Sequence, residues 1–255
     1  PTRNLPEISS VSLRAWYKSN YPILPAPAKM IKTVYFFVDE FTNYNDTQIG
    51  IKAISLLKKL GYEVKVVDHE ESGRSALSKG LLLKAKKHAE ANVRIFENLI
   101  DGNTPLIGLE PSAILGFRDE YPRIVGPEWV EGAKKLKFHA QLIDEFLGKE
   151  VAAGNIKPEE FTTRAQKIKL HGHCHQKALS SLSWTQKILQ TKYKVFSIIL
   201  PIVVFSLFII EGFEAQKGVA VRTCSHSNFL ENPELPNVQR ALSDPQLKLA
   251  NAIVP

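Results

Sequence analysis

The densest chemistry in the sequence is His171-Gly-His-Cys-His175, set between the alternating segment Lys167-Ile-Lys-Leu170 and a helical pattern that begins at once. Imidazole and thiolate are the softest ligands a protein owns. His171, His173 and His175 alternate, so on an extended strand their side chains share one face. With Cys174 among them, the segment could hold a metal ion or carry redox chemistry. A His-x-His at a strand end also occurs in metal-dependent hydrolases, which need further His or Asp ligands and a general base. The bland alternative gives the histidines to helix capping and the cysteine to core filling. Residue types alone leave these readings open.

Other polar groups fall where strands end. Asp39-Glu40 closes the first apolar run, and His69-Glu-Glu-Ser-Gly-Arg74 follows the second. Gly73 would let backbone N–H groups approach a ligand, and Arg74 could hold an anion. A capped turn with Ser72 or Ser75 as N-cap explains the same residues without a ligand. Glu110 follows the third strand. Asp39, His69, Glu110, His173 and Cys174 are therefore expected on one sheet edge, because parallel strands share their carboxyl ends.

The elements that must position these groups follow from pattern. Residues 1–32, with Pro6, Pro22, Pro25 and Pro27, read as a linker or arm with one helical piece near Ser12–Ser19. Thr33–Phe41 is β-branched and aromatic, as in a buried parallel strand. Thr47–Leu60 has helical spacing and stops at Gly61. Further strands are expected at Glu63–Val67, Pro105–Leu109 and Lys167–Leu170. Helices are expected from Ser75 to about Leu99, from Glu110 toward Tyr121, over residues 128–148, and from Gln176 to Gln190. This order predicts an α/β fold: a three-layer parallel sheet with helices on both faces. A second βα unit starting near residue 167 fits a pseudo-duplicated, Rossmann-like arrangement with an incomplete second half.

Composition narrows the classes. The 255 residues carry 44% hydrophobic and 23% charged side chains, enough for a substantial core. The net charge of +7 is spread in doublets such as Lys58-Lys59, Lys86-Lys87 and Lys134-Lys135. That pattern reads as solvated helix faces, so no nucleic-acid partner is expected. The cysteines are Cys174 and Cys224, which implies no disulfide framework and a reducing, cytoplasmic setting. The start at Pro1 shows neither an initiating Met nor a signal-peptide pattern, and the expectation is a piece of a longer chain. Val195–Ile210 is uncharged but short for a membrane span and is broken by Pro201. Buried strands are the expected reading.

Four segments together resemble a known family. They are Phe37-Val-Asp-Glu-Phe-Thr-Asn-Tyr-Asn-Asp46, His69-Glu-Glu-Ser-Gly-Arg-Ser-Ala-Leu-Ser-Lys-Gly-Leu-Leu82, Pro105-Leu-Ile-Gly-Leu-Glu-Pro-Ser-Ala-Ile-Leu115, and His171-Gly-His-Cys-His-Gln-Lys-Ala178. Together they resemble the cysteine-rich "CCG" domain of FAD-linked, iron–sulfur-containing oxidoreductases. These are of the D-lactate dehydrogenase or glycolate oxidase type, with heterodisulfide reductase-like relatives. The resemblance covers about residues 5–195. It implies a carboxyl-terminal electron-transfer module that passes electrons from a flavin oxidising a 2-hydroxy acid toward a membrane acceptor. It also implies partners, the flavin and ferredoxin-like domains of a parent protein, with FAD bound only on a domain absent from this chain. Ser72, Gly73, Arg74 and Glu110 are the candidate cofactor-binding residues, and His173, Cys174, His175 and Cys224 the candidate metal-binding ones; of these, the resemblance matches Cys174 to a family cysteine and sets Cys224 in the place of the last one.

The sequence departs from that family's pattern. The family's first lone Cys falls at Val38, and its first Cys-Cys-Gly falls near Glu71-Ser72-Gly73. A second Cys-Cys-Gly is expected where the chain reads Leu200-Pro-Ile-Val-Val-Phe205. An iron–sulfur cluster normally takes four thiolates, so a complete cluster is not expected here. A shifted reading frame would explain the loss. Ile202-Val203-Val204 can be encoded ATT-GTT-GTN, and the same bases read from the third position give TGT-TGT. The expected division is a linker over 1–32, a first half over 33–160, and a second half over 161–255 with a divergent, frameshifted tail. The expected location is cytoplasmic, peripheral to the membrane. A metal-dependent hydrolase and a metal-free interaction module are the alternatives.

Overall fold

The computed structural model describes residues 7–157, 159 and 170–190. In chain order its elements begin with α1 (Leu13–Asn20), β1 (Lys32–Phe36), α2 (Glu40–Tyr44), α3 (Thr47–Lys59), β2 (Tyr62–Lys65), α4 (Arg74–Ser78), α5 (Leu82–Phe96) and β3 (Leu106–Gly108). There follow α6 (Pro111–Ile114), α7 (Tyr121–Ile124), α8 (Val130–His139), β4 (Ala140–Leu142), α9 (Ile143–Ala152), α10 (Cys174–Leu179) and α11 (Leu182–Gln190). The strands form one parallel sheet in the order β2-β1-β3-β4. Lys32 pairs with Tyr62, Tyr35 with Leu106, and Leu106 with Ala140. Parallel neighbours require crossovers, and each crossover here carries helix.

The strand residues around β1 show why the sheet has three layers. Val34, Phe36 and Val38 point to one face, where they pack with Ile54 and Leu57 of α3 and Phe146 and Leu147 of α9. Tyr35 and Phe37 point to the other, against Val93 and Phe96 of α5 and Leu136 of α8. A strand apolar on both faces reads as a continuous hydrophobic run, as Thr33–Val38 does. The α/β class and the helices on both faces thus agree with the sequence. The second half of the expected duplication falls mostly outside the described residues.

Several boundaries differ from expectation. Residues 128–148 form two helices with β4 between them. Ala140 and Leu142 are buried and satisfy a strand's period of two, yet Leu136, Ala140, Ile143 and Leu147 also fit a helical stripe. A three-residue strand between helices cannot be told from helix by periodicity. The helix expected from Ser75 to Leu99 breaks at Gly80, whose φ is +71°. The helix expected over Gln176–Gln190 starts at Cys174 and breaks at Ser180, which has a non-helical backbone. Of the strand expected at Lys167–Leu170, only Leu170 lies among the described residues. The apolar run Val195–Ile210, the later tail and Cys224 all lie outside them. No helix among the described residues is long and apolar enough to cross a membrane.

Part of the segment read as an arm is built into the core. Ser12 caps α1 by accepting from the Ala15 N–H at 3.2 Å. Leu13 is fully buried. Tyr17 and Tyr21 stack at 4.7 Å between centroids. The Tyr17 hydroxyl donates to the Val64 carbonyl at 2.7 Å, and the Val64 N–H donates to the Tyr21 hydroxyl at 2.8 Å. Val64 belongs to the edge strand β2, so the two tyrosines occupy backbone groups that an edge would leave open to another chain. Burial pushes the Tyr21 hydroxyl up to about 12, which keeps it protonated.

Gly61 ends α3 with φ +98°, and a Cβ there would lie 2.6 Å from the Lys29 carbonyl oxygen. Gly61→Ala is therefore expected to cost about 2 kcal/mol or more, from a left-handed backbone and a backbone clash together. Urea unfolding checks this, and an unchanged midpoint would contradict the role given to Gly61.

Candidate functional site at the carboxyl edge of the sheet

The carboxyl ends of β1, β2 and β3 deliver three polar segments to one edge. From β1 comes Asp39, which is buried and accepts from both the N–H and the hydroxyl of Thr42, capping α2. From β3 comes Glu110, which caps α6 by accepting from the Ala113 N–H at 2.6 Å. His173 caps α10: its Nδ1 accepts from the His175 N–H at 3.2 Å. Side-chain acceptors are favoured at the first turn because the leading N–H groups of a helix have no internal partner. Three of the residues singled out for chemistry therefore start helices.

Their electrostatics show that they share one neighbourhood. Burial raises the Asp39 carboxyl to about 7, with the charges of Glu110 and Glu40 acting in the same direction against the Thr42 hydrogen bonds. Burial also holds His173 below the ordinary imidazole range; Glu110 opposes this, while His175, Arg74 and Lys177 add to it. Helix α10 packs against α6. Cys174 is the first residue of α10 and is exposed, so it fills no core.

The loop between β2 and α4 is held by internal bonds. Glu40 accepts from the Ser72 hydroxyl at 2.9 Å and from its N–H at 3.1 Å. The Ser72 carbonyl accepts from the Tyr121 hydroxyl at 3.0 Å. Buried Asn92 donates to the Glu71 carbonyl and accepts from the Glu70 N–H. Gly73 has φ +74°, and a Cβ there would press on α5 at 3.3 Å from the Ala85 carbonyl oxygen. Its freedom serves packing as much as any ligand. Arg74 donates to Glu120 Oε1 at 2.6 Å, and His175 Nε2 lies 3.6 Å from the same oxygen. The buried Oε2 of Glu120 has no hydrogen-bond partner among the described residues. Glu120 thus joins the β2–α4 loop to the His-Cys-His segment. No sequence signal marked it, because it follows a short 3₁₀ turn and belongs to no apolar period.

His69 lies deeper. Its ring stacks on Phe37 at 4.3 Å between centroids. Nε2 accepts from the Val38 N–H at 3.0 Å, and Nδ1 faces the Glu70 carbonyl at 2.7 Å, which selects the neutral Nδ1–H tautomer. Arg14 Nη2 donates to the His69 carbonyl at 2.8 Å. Burial, helped by the Arg14 charge, lowers His69 to about 3. A histidine so placed is neutral at ordinary pH and acts as a structural acceptor. Arg14 comes from the expected arm, so its place at the edge was invisible to local pattern. A cleft of about 210 Å³ opens here, lined by Arg14, Glu40, Asn43, Tyr44, His69 and Glu70 among others.

Buried anchors fix the position of α10. Asp144 accepts from Gln176 at 2.6 Å and from the Thr185 hydroxyl. Burial pushes the Asp144 carboxyl up, against the hydrogen bonds of Thr185, the Glu145 N–H and Gln176. Arg118 donates to Glu145 at 2.6 Å and to the Ala140 carbonyl at 2.8 Å. The Ser180 hydroxyl lies 3.3 Å from the same Glu145 carboxylate.

The edge therefore gathers Asp39, Glu40, Ser72, Arg74, Glu110, Glu120, His173 and His175. Among the described residues, no three His, Cys, Asp or Glu groups are placed to hold a metal ion. The donor set also fails an iron–sulfur cluster. Four thiolates are normally required, the whole chain has two cysteines, and Cys174 alone lies among the described residues.

No family model matches the chain, and no solved structure matches it. Among curated proteins it is similar to dehydrogenases, so it is related to oxidoreductase polypeptides. One subunit of the anaerobic glycerol-3-phosphate dehydrogenase of Escherichia coli is 27% identical over 190 residues, 74% of this chain and 46% of that protein. D-2-hydroxyglutarate dehydrogenase of Pseudomonas putida is 26% identical over 163 residues, 63% of this chain and 15% of that protein. The Escherichia coli D-2-hydroxyglutarate dehydrogenase is 26% identical over 143 residues, 56% of this chain and 13% of that protein. The chain spans less than half the length of each of these relatives.

Proposed function

We propose that the chain is the cysteine-rich, carboxyl-terminal module of an FAD- and iron–sulfur-dependent 2-hydroxy-acid dehydrogenase. The observation that carries this is the similarity to partial lengths of two kinds of dehydrogenase. Its partners are then the flavin and ferredoxin-like domains of a parent protein, in the cytoplasm beside a membrane acceptor. The residues here do not fit a cluster, so no electron-transfer step is assigned to them. The cluster position is a scaffold whose polar groups cap helices and clamp one another. In this reading the isolated chain does not oxidise a substrate.

The test combines two measurements on the recombinant chain. Anaerobic reconstitution with iron and sulfide is expected to leave it colourless, without stoichiometric iron. Dye reduction with D-2-hydroxyglutarate, D-lactate, glycolate or glycerol 3-phosphate is expected to stay at background. A brown protein with bound sulfide would overturn the scaffold reading, and substrate-dependent dye reduction would overturn the module reading. Zinc-dependent hydrolysis of an ester or amide by the chain would favour the hydrolase alternative. The surrounding DNA tests the frameshift: an alternative frame should restore a Cys-Cys after Leu200, and its absence removes that explanation.

A further inference from the structure

The end of the connection between α4 and α5 and the first turn of α5 project three consecutive leucines into solvent. Leu81, Leu82 and Leu83 are 52%, 60% and 79% exposed. They do not belong to the apolar face of α5, which is made by Ala85, Ala89, Val93 and Phe96. The turn that carries them is built. The Lys79 and Leu81 N–H groups both donate to the Ala76 carbonyl, and the Gly80 N–H donates to that of Leu77. Gly80 takes φ +71°, with nothing within 4 Å of where its Cβ would be. The chain thus forms a convex knuckle with an apolar tip.

The surroundings of that tip are basic. Lys79, Lys84 and Lys87 are exposed, and Lys86 is half-buried beside Glu90 at 3.6 Å. From Ser72 to Ala89 the sequence contains no Asp or Glu. Arg74, at the start of this stretch, is already paired with Glu120. An apolar tip in solvent is unfavourable unless something covers it.

We infer that the Lys79–Lys87 knuckle docks on an anionic lipid bilayer, with Leu81, Leu82 and Leu83 entering the headgroup layer and the lysines facing lipid phosphates. Charge complementarity selects this occupant. A convex tip with exposed cations at Lys79, Lys84 and Lys87, and with acids only at the borders of the stretch, where Glu70 faces His88 and Glu90 faces Lys86, matches a diffuse negative surface better than a shaped protein groove. The inference stands on this surface alone and does not depend on the redox reading.

The test is co-sedimentation of the full chain with vesicles of phosphatidylcholine, with or without phosphatidylglycerol. Binding is expected only with phosphatidylglycerol, and it should weaken as salt rises. Replacing Lys79 or Lys84 by serine should lower partitioning by about fivefold each, the weight of one basic residue at such a surface. The double change Leu82→Ser with Leu83→Ser should abolish binding at moderate salt. All four side chains are exposed, and unchanged thermal melting will confirm that the variants fold. Absence of binding to the anionic vesicles would overturn the inference. So would equal binding by the leucine variant, which would assign adsorption to another part of the chain. Leucine-dependent self-association without vesicle binding would also overturn it, and would make the knuckle a protein interface.

Discussion

Phe37→Ala is expected to cost about 4 kcal/mol, within the range for removing a buried aromatic ring. The ring is fully buried at the centre of the second core face. It stacks on His69 and meets Phe96 and Phe117 edge-on, at 6.2 and 5.1 Å between centroids. Alanine would leave a cavity bounded by rings from α5 and from the turn after α6, neither of which can collapse onto β1 without shifting the other. The same change uncovers His69, whose neutral state rests on that burial. Urea unfolding should show the loss, and the imidazole resonances of His69 should titrate closer to the ordinary range. A loss below about 1 kcal/mol would mean that the site relaxes, and that Phe37 does not hold this face together.

Asp39→Asn is expected to stabilise the protein above neutral pH by on the order of 4 kcal/mol. Asp39 has a folded value near 7 against 3.8 in the open chain. The native state therefore binds the extra proton between those values. Its favourable neutral form is complete below about 3.8 and is lost as pH rises through 7. Asparagine keeps a capping side chain and never ionises. The stability difference between variant and wild type should grow by about 1.4 kcal/mol per pH unit between 4 and 7, then level off. His69 works in the opposite direction: it falls from 6.5 to about 3, so its contribution is complete above 6.5 and is lost as pH falls toward 3. In the wild type the two slopes oppose each other between about pH 4 and 6.5. In Asp39→Asn the His69 slope should stand alone, and acid sensitivity should sharpen. Parallel stability–pH curves for the two proteins would show that Asp39 is ionised in the fold at no cost.

The sequence made the sheet legible where one residue type dominated a long enough run. The run Thr33–Phe41 reads as a strand buried on both faces, and it forms one over Lys32–Phe36 before Glu40 and Phe41 enter α2; Thr47–Leu60 carries both its stripe and its stop at Gly61. Strand β4 was hidden because Ala140 and Leu142 fit helix and strand periods alike, and only the open edge of β3 decides between them. The residues of the edge were found by their chemistry and by their position after strands. Their partners were not, since Arg14, Asn92, Glu120 and Tyr121 reach the edge from distant parts of the chain and carry no local motif. The exposure of Cys174 was likewise unreadable: first position on a short helix and core filler give the same letter. The exposure of Leu81, Leu82 and Leu83 was not readable either, because the helix expected from Ser75 to about Leu99 breaks at Gly80.

The capping roles of Asp39, Glu110 and His173 separate two kinds of inheritance. Each supports a helix through its own backbone bond, whether or not anything binds at the edge. A lineage could therefore lose its ligands at this edge one substitution at a time without any step that unfolds the molecule. Drift at an exposed position such as Cys174 would leave little trace in a melting curve, whereas loss of a cap would register there. The architecture can outlive the reaction it was assembled for, and remain available as a rigid block for attachment to other surfaces.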